Sequence, residues 1–329
     1  VNLEYMKWDP QDQAELQPDG NDLYNFREPY QPISSASTTN RDDNCWLSND
    51  TISEQGKIAF KKYHVRNFLR GGRCKWNLAF SDKIVSRDVV DELYQYVTDG
   101  GIYALVGPGG EGKTTILRQL CVKLISDGIP VFYYRGYGTL QLPINIPDQA
   151  VFVLDNPPNT MKFKHFMDVI IENGQTLVLG ARQNEWNLLK SLHNISDRDV
   201  LELPLQTLTI KESWRFADCI SNHLNCSISK REIKDIFHDN SYGFLYAAML
   251  MVVNNSNSLE EIAKQIISNL YEQSHTAMLL LAHIVLSEQY EVKFIYAQFK
   301  PICNKLHISP RDANKALSRE ISLNGDIYQ

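Results

Sequence analysis

The sequence is short of several things, and each shortage excludes a class of function. No apolar run approaches the roughly 20 residues that span a bilayer, and the longest, residues 247–253, falls far below that. No secretory signal is visible. The formal net charge is −6, so the chain lacks the overall basic character of a nucleic-acid binder. Its 6 cysteines form no CxxC pair, and its 8 histidines are scattered without ligand spacing. That argues against a zinc site and for reduced thiols in a cytoplasmic protein with no membrane partner. What remains is an ordinary globular balance, 43% hydrophobic and 22% charged over 329 residues, enough for two or three small domains.

Against that background, residues 107–114, Gly-Pro-Gly-Gly-Glu-Gly-Lys-Thr, stand out as a GxxxxGK[ST] phosphate-binding loop. The apolar run 102–106 before it reads as a buried strand, and residues 114–125 after it have helical apolar spacing. A strand, a glycine-rich turn and a helix start aim several backbone N–H groups at one point, which suits phosphate oxygens. Lys113 adds a positive charge toward the β- and γ-phosphates, and the Thr114 hydroxyl is placed for Mg²⁺. The candidate nucleotide-binding set is Gly107, Gly109, Gly110, Glu111, Gly112, Lys113, Thr114 and Thr115.

Residues 1–60, rich in Asp, Asn, Gln, Ser and Pro, read as a linker or peripheral extension whose aromatic residues dock elsewhere. Residues 61–206 form the nucleotide-binding domain, with a helix at 88–97 and strands at 102–106, 131–134, 151–154, 176–179 and 200–203. Helices at 114–125, 163–172 and 185–192 alternate with those strands. The fold class is therefore α/β, a parallel sheet with helices on both faces. Residues 207–272 read as a helical domain, with helices at 210–224, 230–237, 243–253 and 259–271. Residues 273–329 predict helices at 275–287, 292–306 and 310–320, then an extended segment 321–329 turning at Asn324-Gly325-Asp326. That order is similar to a winged helix that stops before its second wing strand, as in a fragment of a longer protein. The chain begins at Val1 rather than Met, which reads as a cut or processed end.

Three further features carry chemistry. Val151-Phe152-Val153-Leu154-Asp155 is a buried strand ending in an acid, and its carboxylate either holds Mg²⁺ with Thr114 or caps a turn. The next residue is Asn156, whose amide orients water but takes no proton. Either hydrolysis is slow, the preferred reading, or a base comes from elsewhere, with Glu111 the candidate. Arg182 ends the strand Thr176-Leu177-Val178-Leu179-Gly180-Ala181, at the sheet edge where open α/β folds bind ligands. Its guanidinium either senses the γ-phosphate or pairs with Glu185 at the surface.

In this order the motifs resemble the STAND class of P-loop NTPases, relatives of the AAA+ and NLR ATPases. Ile84-Val85-Ser86-Arg87-Asp88 with Leu93 is similar to that class's hhGRxxxxxL motif, with Ser86 in place of Gly. Leu201-Glu202-Leu203-Pro204-Leu205 with Glu212 resembles its strand-to-helical-domain junction. Gly243-Phe244-Leu245 sits where a GxP turn is usual, with Leu245 in place of Pro. Arg182-Gln183-Asn184-Glu185-Trp186 and Arg70-Gly71-Gly72-Arg73 with Trp76 resemble segments of bacterial antiphage (Avs-like) members.

The resemblance implies a slow ATPase switch that binds ATP or ADP with Mg²⁺ and assembles as a homo-oligomer on activation. It implies Lys113, Asp155, Asn156 and Arg182 as catalytic residues, Thr114 and Asp155 as metal ligands, and Arg87 as a nucleotide contact. It also implies effector and sensor domains in the full-length chain, with a phage protein as candidate trigger. The alternative is an AAA+-like motor acting on DNA through its winged helix. The candidate recognition helix 310–320 balances Arg311, Lys315 and Arg319 against Asp312 and Glu320, too little net charge for a DNA reader. A guanine-reading NKxD motif is absent, since Asn304-Lys305 continues to no Asp.

Overall fold

The computed structural model describes residues 45–59, 61–136, 140–143, 146–158, 162–224, 227–256, 258–273, 275, 278–283, 294–307, 309–310, 323–324 and 327–328. The chain divides into two compact units, Val1–Met249 and Leu250–Gln329.

The first unit is built on a 6-stranded sheet. Its strands are β1 (Trp46–Leu47), β2 (Gly101–Val106), β3 (Val131–Tyr134), β4 (Val151–Asp155), β5 (Thr176–Ala181) and β6 (Leu201–Pro204). Their order across the sheet is β1-β3-β4-β5-β2-β6. All neighbours are parallel except β1, which pairs antiparallel with the edge of β3. The predicted parallel sheet is therefore present, with one added edge strand.

Alternation along each strand sends residues to opposite faces. Ile102, Ala104 and Val106 of β2 join Phe152 and Leu154 of β4 in one core cluster. Tyr103 and Leu105 of β2 join Val151 and Val153 of β4 in the other. Helices α6 (Phe163–Glu172) and α7 (Gln183–His193) cover the first face through Phe163, Phe166, Met167, Ile170, Trp186 and Leu189. Helices α4 (Val89–Val97) and α5 (Lys113–Ser126) cover the second through Val90, Leu93, Val97, Ile116, Leu120 and Leu124. Each such side chain contributes about 1.5–3 kcal/mol on full burial.

Residues 45–57 fold into this domain instead of standing apart as a linker. Helix α1 (Asn49–Lys57) packs its fully buried Ile52 into the second cluster. Trp46 stacks on Phe166 and meets Tyr134 and Phe152 edge-on. The polar composition of the segment hid this, because its burial rests on a few residues, Cys45, Trp46, Leu47 and Ile52. Helices α2 (Lys62–Leu69) and α3 (Trp76–Ala79) lead on to α4. Residues 1–44 lie outside the described residues.

After β6, Thr209 and Glu212 form a capping box that starts α8 (Ile210–His223), and Ser229 and Glu232 form another that starts α9 (Lys230–Asp235). A π-helical turn, Ile236–Asn240, follows α9, and α10 (Leu245–Val253) begins after Gly243.

In the second unit are α11 (Leu259–Gln273), a helical stretch at 278–283, α12 (Tyr296–Lys305) and a 3-stranded sheet of order β7-β9-β8. Its strands are β7 (Phe294–Ile295), β8 (Leu323–Asn324) and β9 (Ile327–Tyr328). Leu323 pairs with Tyr328 and Asn324 with Ile327, so the hairpin has both arms within the chain. The segment 321–329, expected as one extended arm with its second strand missing, thus holds two paired strands. The expected helix 310–320 lies almost wholly outside the described residues.

Candidate nucleotide-binding site

The sheet order brings the three sequence motifs to one edge. Strand β5 lies between β2, which leads into the glycine-rich loop, and β4, which ends in Asp155. Val106 is in register with Ala181, and Asp155 with Gly180. The C-terminal ends of all three strands therefore open side by side, where ligands bind in open α/β sheets.

The loop itself is shaped as a cradle. Gly110 and Gly112 have φ of +80° and +83°, a left-handed backbone that glycine adopts without strain. Gly112 caps α5, so Lys113 and Thr114 are the first residues of that helix and its N-terminal N–H groups face the cradle. Lys113 is 8% exposed and donates through Nζ to the carbonyls of Gly107 at 2.8 Å and Pro108 at 2.5 Å. Burial, and then the neighbouring Arg182 charge, lower its pKa. An anion beside it would offset both effects. The Arg182 side chain lies against the loop, its Nε 3.4 Å from where a Cβ on Gly109 would stand.

Opposite the lysine, the Thr114 hydroxyl donates to Asp155 Oδ2 at 2.6 Å. Tyr133 donates to the same oxygen at 3.3 Å. Burial pushes the Asp155 carboxyl up, while the Thr114 hydrogen bond and the Arg118 charge pull it down. The Arg118 guanidinium lies 4.9 Å from the Trp76 ring centroid and donates to the Cys74 carbonyl. Tyr133 and Arg118 are participants that the sequence reading missed. Arg118 was findable, since i,i+4 spacing puts it on the same face of α5 as Thr114.

These residues fit a nucleotide with Mg²⁺. The donors converge at a helix start, and one hydroxyl and one carboxylate stand ready for the cation. Among the described residues no group of three or more His, Cys, Asp or Glu forms a metal cage. Mg²⁺ takes few protein ligands and is completed by phosphate oxygens and water.

Two sequence candidates take other positions. Glu111 is 5% exposed and turned away from water, accepting from the amides of Leu245 at 2.9 Å and Tyr246 at 3.4 Å. The carboxylate is held at the start of α10, so the role of base that the sequence left open for it would require these bonds to break. Arg87, also 5% exposed, donates through Nε to Glu212 at 3.2 Å and through Nη2 to the Gln206 carbonyl at 2.7 Å. It thus joins the stretch before α4 to the junction after β6, and none of its hydrogen bonds reaches the loop. Glu212 also accepts from the amides of Asp88 and Thr209. Asn156 follows Asp155 with φ of +58° and donates its backbone N–H to the Gly180 carbonyl at 2.8 Å. Asn tolerates that left-handed backbone better than most residues.

No curated protein matches the chain. Among solved structures it is similar to S. cerevisiae Hsp104 in its ADP complex, with 14% identity and a TM-score of 0.39 over 81% of this chain and 41% of that one. It is also similar to the RuvB Holliday junction branch migration motor of Thermotoga maritima, with 13% identity and a TM-score of 0.35 over 74% of this chain and 91% of that one. The chain thus spans about two fifths of the Hsp104 chain. Among the described residues no helix is long and apolar enough to cross a membrane. The parallel sheet, its glycine-rich loop and its strand-end acid make this a P-loop NTPase fold, and residues 66–192 match the family model described as Novel STAND NTPase 5.

Proposed function

We propose that the chain is the nucleotide-operated core of a signalling switch. It binds ATP or ADP with Mg²⁺, hydrolyses ATP slowly, and assembles as a homo-oligomer on activation in cytoplasmic antiviral defence. The observation that carries this reading is the single sheet edge bearing Lys113, the Thr114–Asp155 pair and Arg182, with Asn156 directly after Asp155.

Lys113 and the N-terminus of α5 bind the phosphates, Thr114 and Asp155 hold the cation, and Arg182 reads the γ-phosphate. Bound Mg²⁺ supplies charge neutralisation at the phosphates. Asn156 orients water without accepting its proton, and Glu111 is occupied by two backbone amides. With Asn156 in place of an acid after Asp155 and Glu111 held by two amides, turnover is slow. The defence role rests on the resemblance of residues 70–76 and 182–186 to antiphage members. The helices and three-stranded sheet of residues 250–329 support a winged helix, read here as part of the switch.

Phosphate release under saturating ATP and Mg²⁺, with mass measured in ADP and in a non-hydrolysable ATP analogue, tests the proposal. The expected rate is on the order of 10⁻⁴ to 10⁻² per second, as for P-loop sites without an activating partner, with larger assemblies in the ATP analogue alone. Turnover of many per second from monomers would overturn it.

A further inference from the structure

The loop glutamate has a role that its position in the motif does not reveal. Glu111 lies between the two left-handed glycines of the cradle, so its side chain is anchored on the phosphate-binding backbone itself. Its carboxylate reaches across 134 residues of sequence to the amides that open α10, Leu245 and Tyr246. The contact is close on both sides. A Cβ on Gly110 would stand 2.8 Å from Tyr246 Cβ, and one on Gly112 would stand 3.3 Å from Leu245 Cδ2. The turn before α10 is itself anchored: Gly243, at φ +75°, accepts from the Leu208 amide at 3.0 Å and sits against Thr207.

The first N–H groups of a helix have no partner within it. Here two of them are taken by a carboxylate, a stronger pairing than a neutral acceptor gives, and one favoured by the helix dipole. Proline at position 245 would have no N–H to give. The leucine there supplies the donor that makes the shorter bond to the loop.

We propose that Glu111 is a latch that seats the start of α10 on the phosphate-binding loop and so couples nucleotide retention to the position of that helix. It is a positioning residue and takes no part in bond making. This rests on the loop binding nucleotide, as argued above. By linkage, a nucleotide that fixes the loop also fixes α10, and a trigger that lifts α10 loosens the nucleotide by the same factor.

The test uses the whole chain as wild type, Glu111→Gln, Leu245→Pro and the double variant. Release of a fluorescent ADP is followed together with hydrogen exchange of the amides at 245–250, with and without ADP. Proline is tolerated at the first helical position, so Leu245→Pro removes one donor, with the leucine packing on Gly112, and changes no residue of the loop. Each single variant is expected to release ADP roughly tenfold faster or more, the factor for one lost hydrogen bond to a charged group. The double variant should be no faster than the quicker single. ADP should slow exchange at 246–250 in wild type and not in Glu111→Gln. Wild-type release rates in both singles, or fully multiplicative effects, overturn the latch. Absence of ADP binding to wild type overturns the nucleotide reading instead. In that case protection of the 246 amide lost in Glu111→Gln still supports the Glu111 contact, and protection unchanged overturns it.

Discussion

The Thr114 hydroxyl donates to Asp155 Oδ2 across 2.6 Å, joining the second residue of α5 to the last residue of β4. The donated proton leaves the hydroxyl lone pairs and the other carboxylate oxygen free for a divalent cation. Asp155→Asn keeps an acceptor for Thr114 and removes the charge. Nucleotide affinity in excess EDTA is expected to stay within about threefold of wild type, while the affinity gained on adding Mg²⁺ falls roughly tenfold or more. Calorimetric titration with and without Mg²⁺ measures both. An undiminished gain contradicts the assignment of Asp155.

Asn156 holds a left-handed backbone at φ +58°. Glycine meets that requirement freely, whereas alanine pays about 1–2 kcal/mol. Thermal melts should therefore leave Asn156→Gly near wild type and lower Asn156→Ala by several degrees. Both variants lack the amide, so both should lose turnover to the same extent if it orients water. A loss confined to the alanine variant would mark the residue as a backbone device only.

The buried Arg87–Glu212 pair should make stability depend on acid. Burial would raise the Glu212 carboxyl, but the Thr209 amide, the Arg87 guanidinium and the Asp88 amide outweigh it and hold the pKa below its ordinary 4.5. A depressed carboxyl pKa contributes stability that is complete above the unfolded value and is lost as pH falls through the folded one. Glu212→Gln should be destabilised by about 3–5 kcal/mol at pH 7, because Arg87 stays buried without its counter-charge. Its deficit against wild type should shrink below about pH 4.5. Denaturant unfolding at pH 7, 5 and 4 checks this, and a pH-independent deficit would contradict it.

Trp46 is 2% exposed at the edge of the sheet. Trp46→Ala should cost about 3–5 kcal/mol, read by urea unfolding of the whole chain. A loss below about 1 kcal/mol would show that the edge strand contributes little to the domain.

Much of this was legible beforehand, for identifiable reasons. The strands at 131–134 and 151–155 announce themselves because both faces of a parallel strand are buried and read as apolar runs. The glycine-rich loop is local in sequence, so its backbone demands show directly as Gly110 and Gly112. The partners that complete the site are distant and mostly backbone. The amides of Leu245 and Tyr246 that occupy Glu111, and the Gln206 carbonyl that holds Arg87, belong to no residue type. Trp46 was expected to dock, but where it docks was not legible, because a two-residue strand has no periodicity to read.

The most direct test of the account is to denature the purified protein and identify any nucleotide it releases, alongside Lys113→Ala. Lys113 is the one side-chain cation at the start of α5, and its loss should empty the site. The account predicts near-stoichiometric ADP or ATP from wild type and none from the variant. Wild type that releases none and binds neither ATP nor ADP when they are added would contradict it.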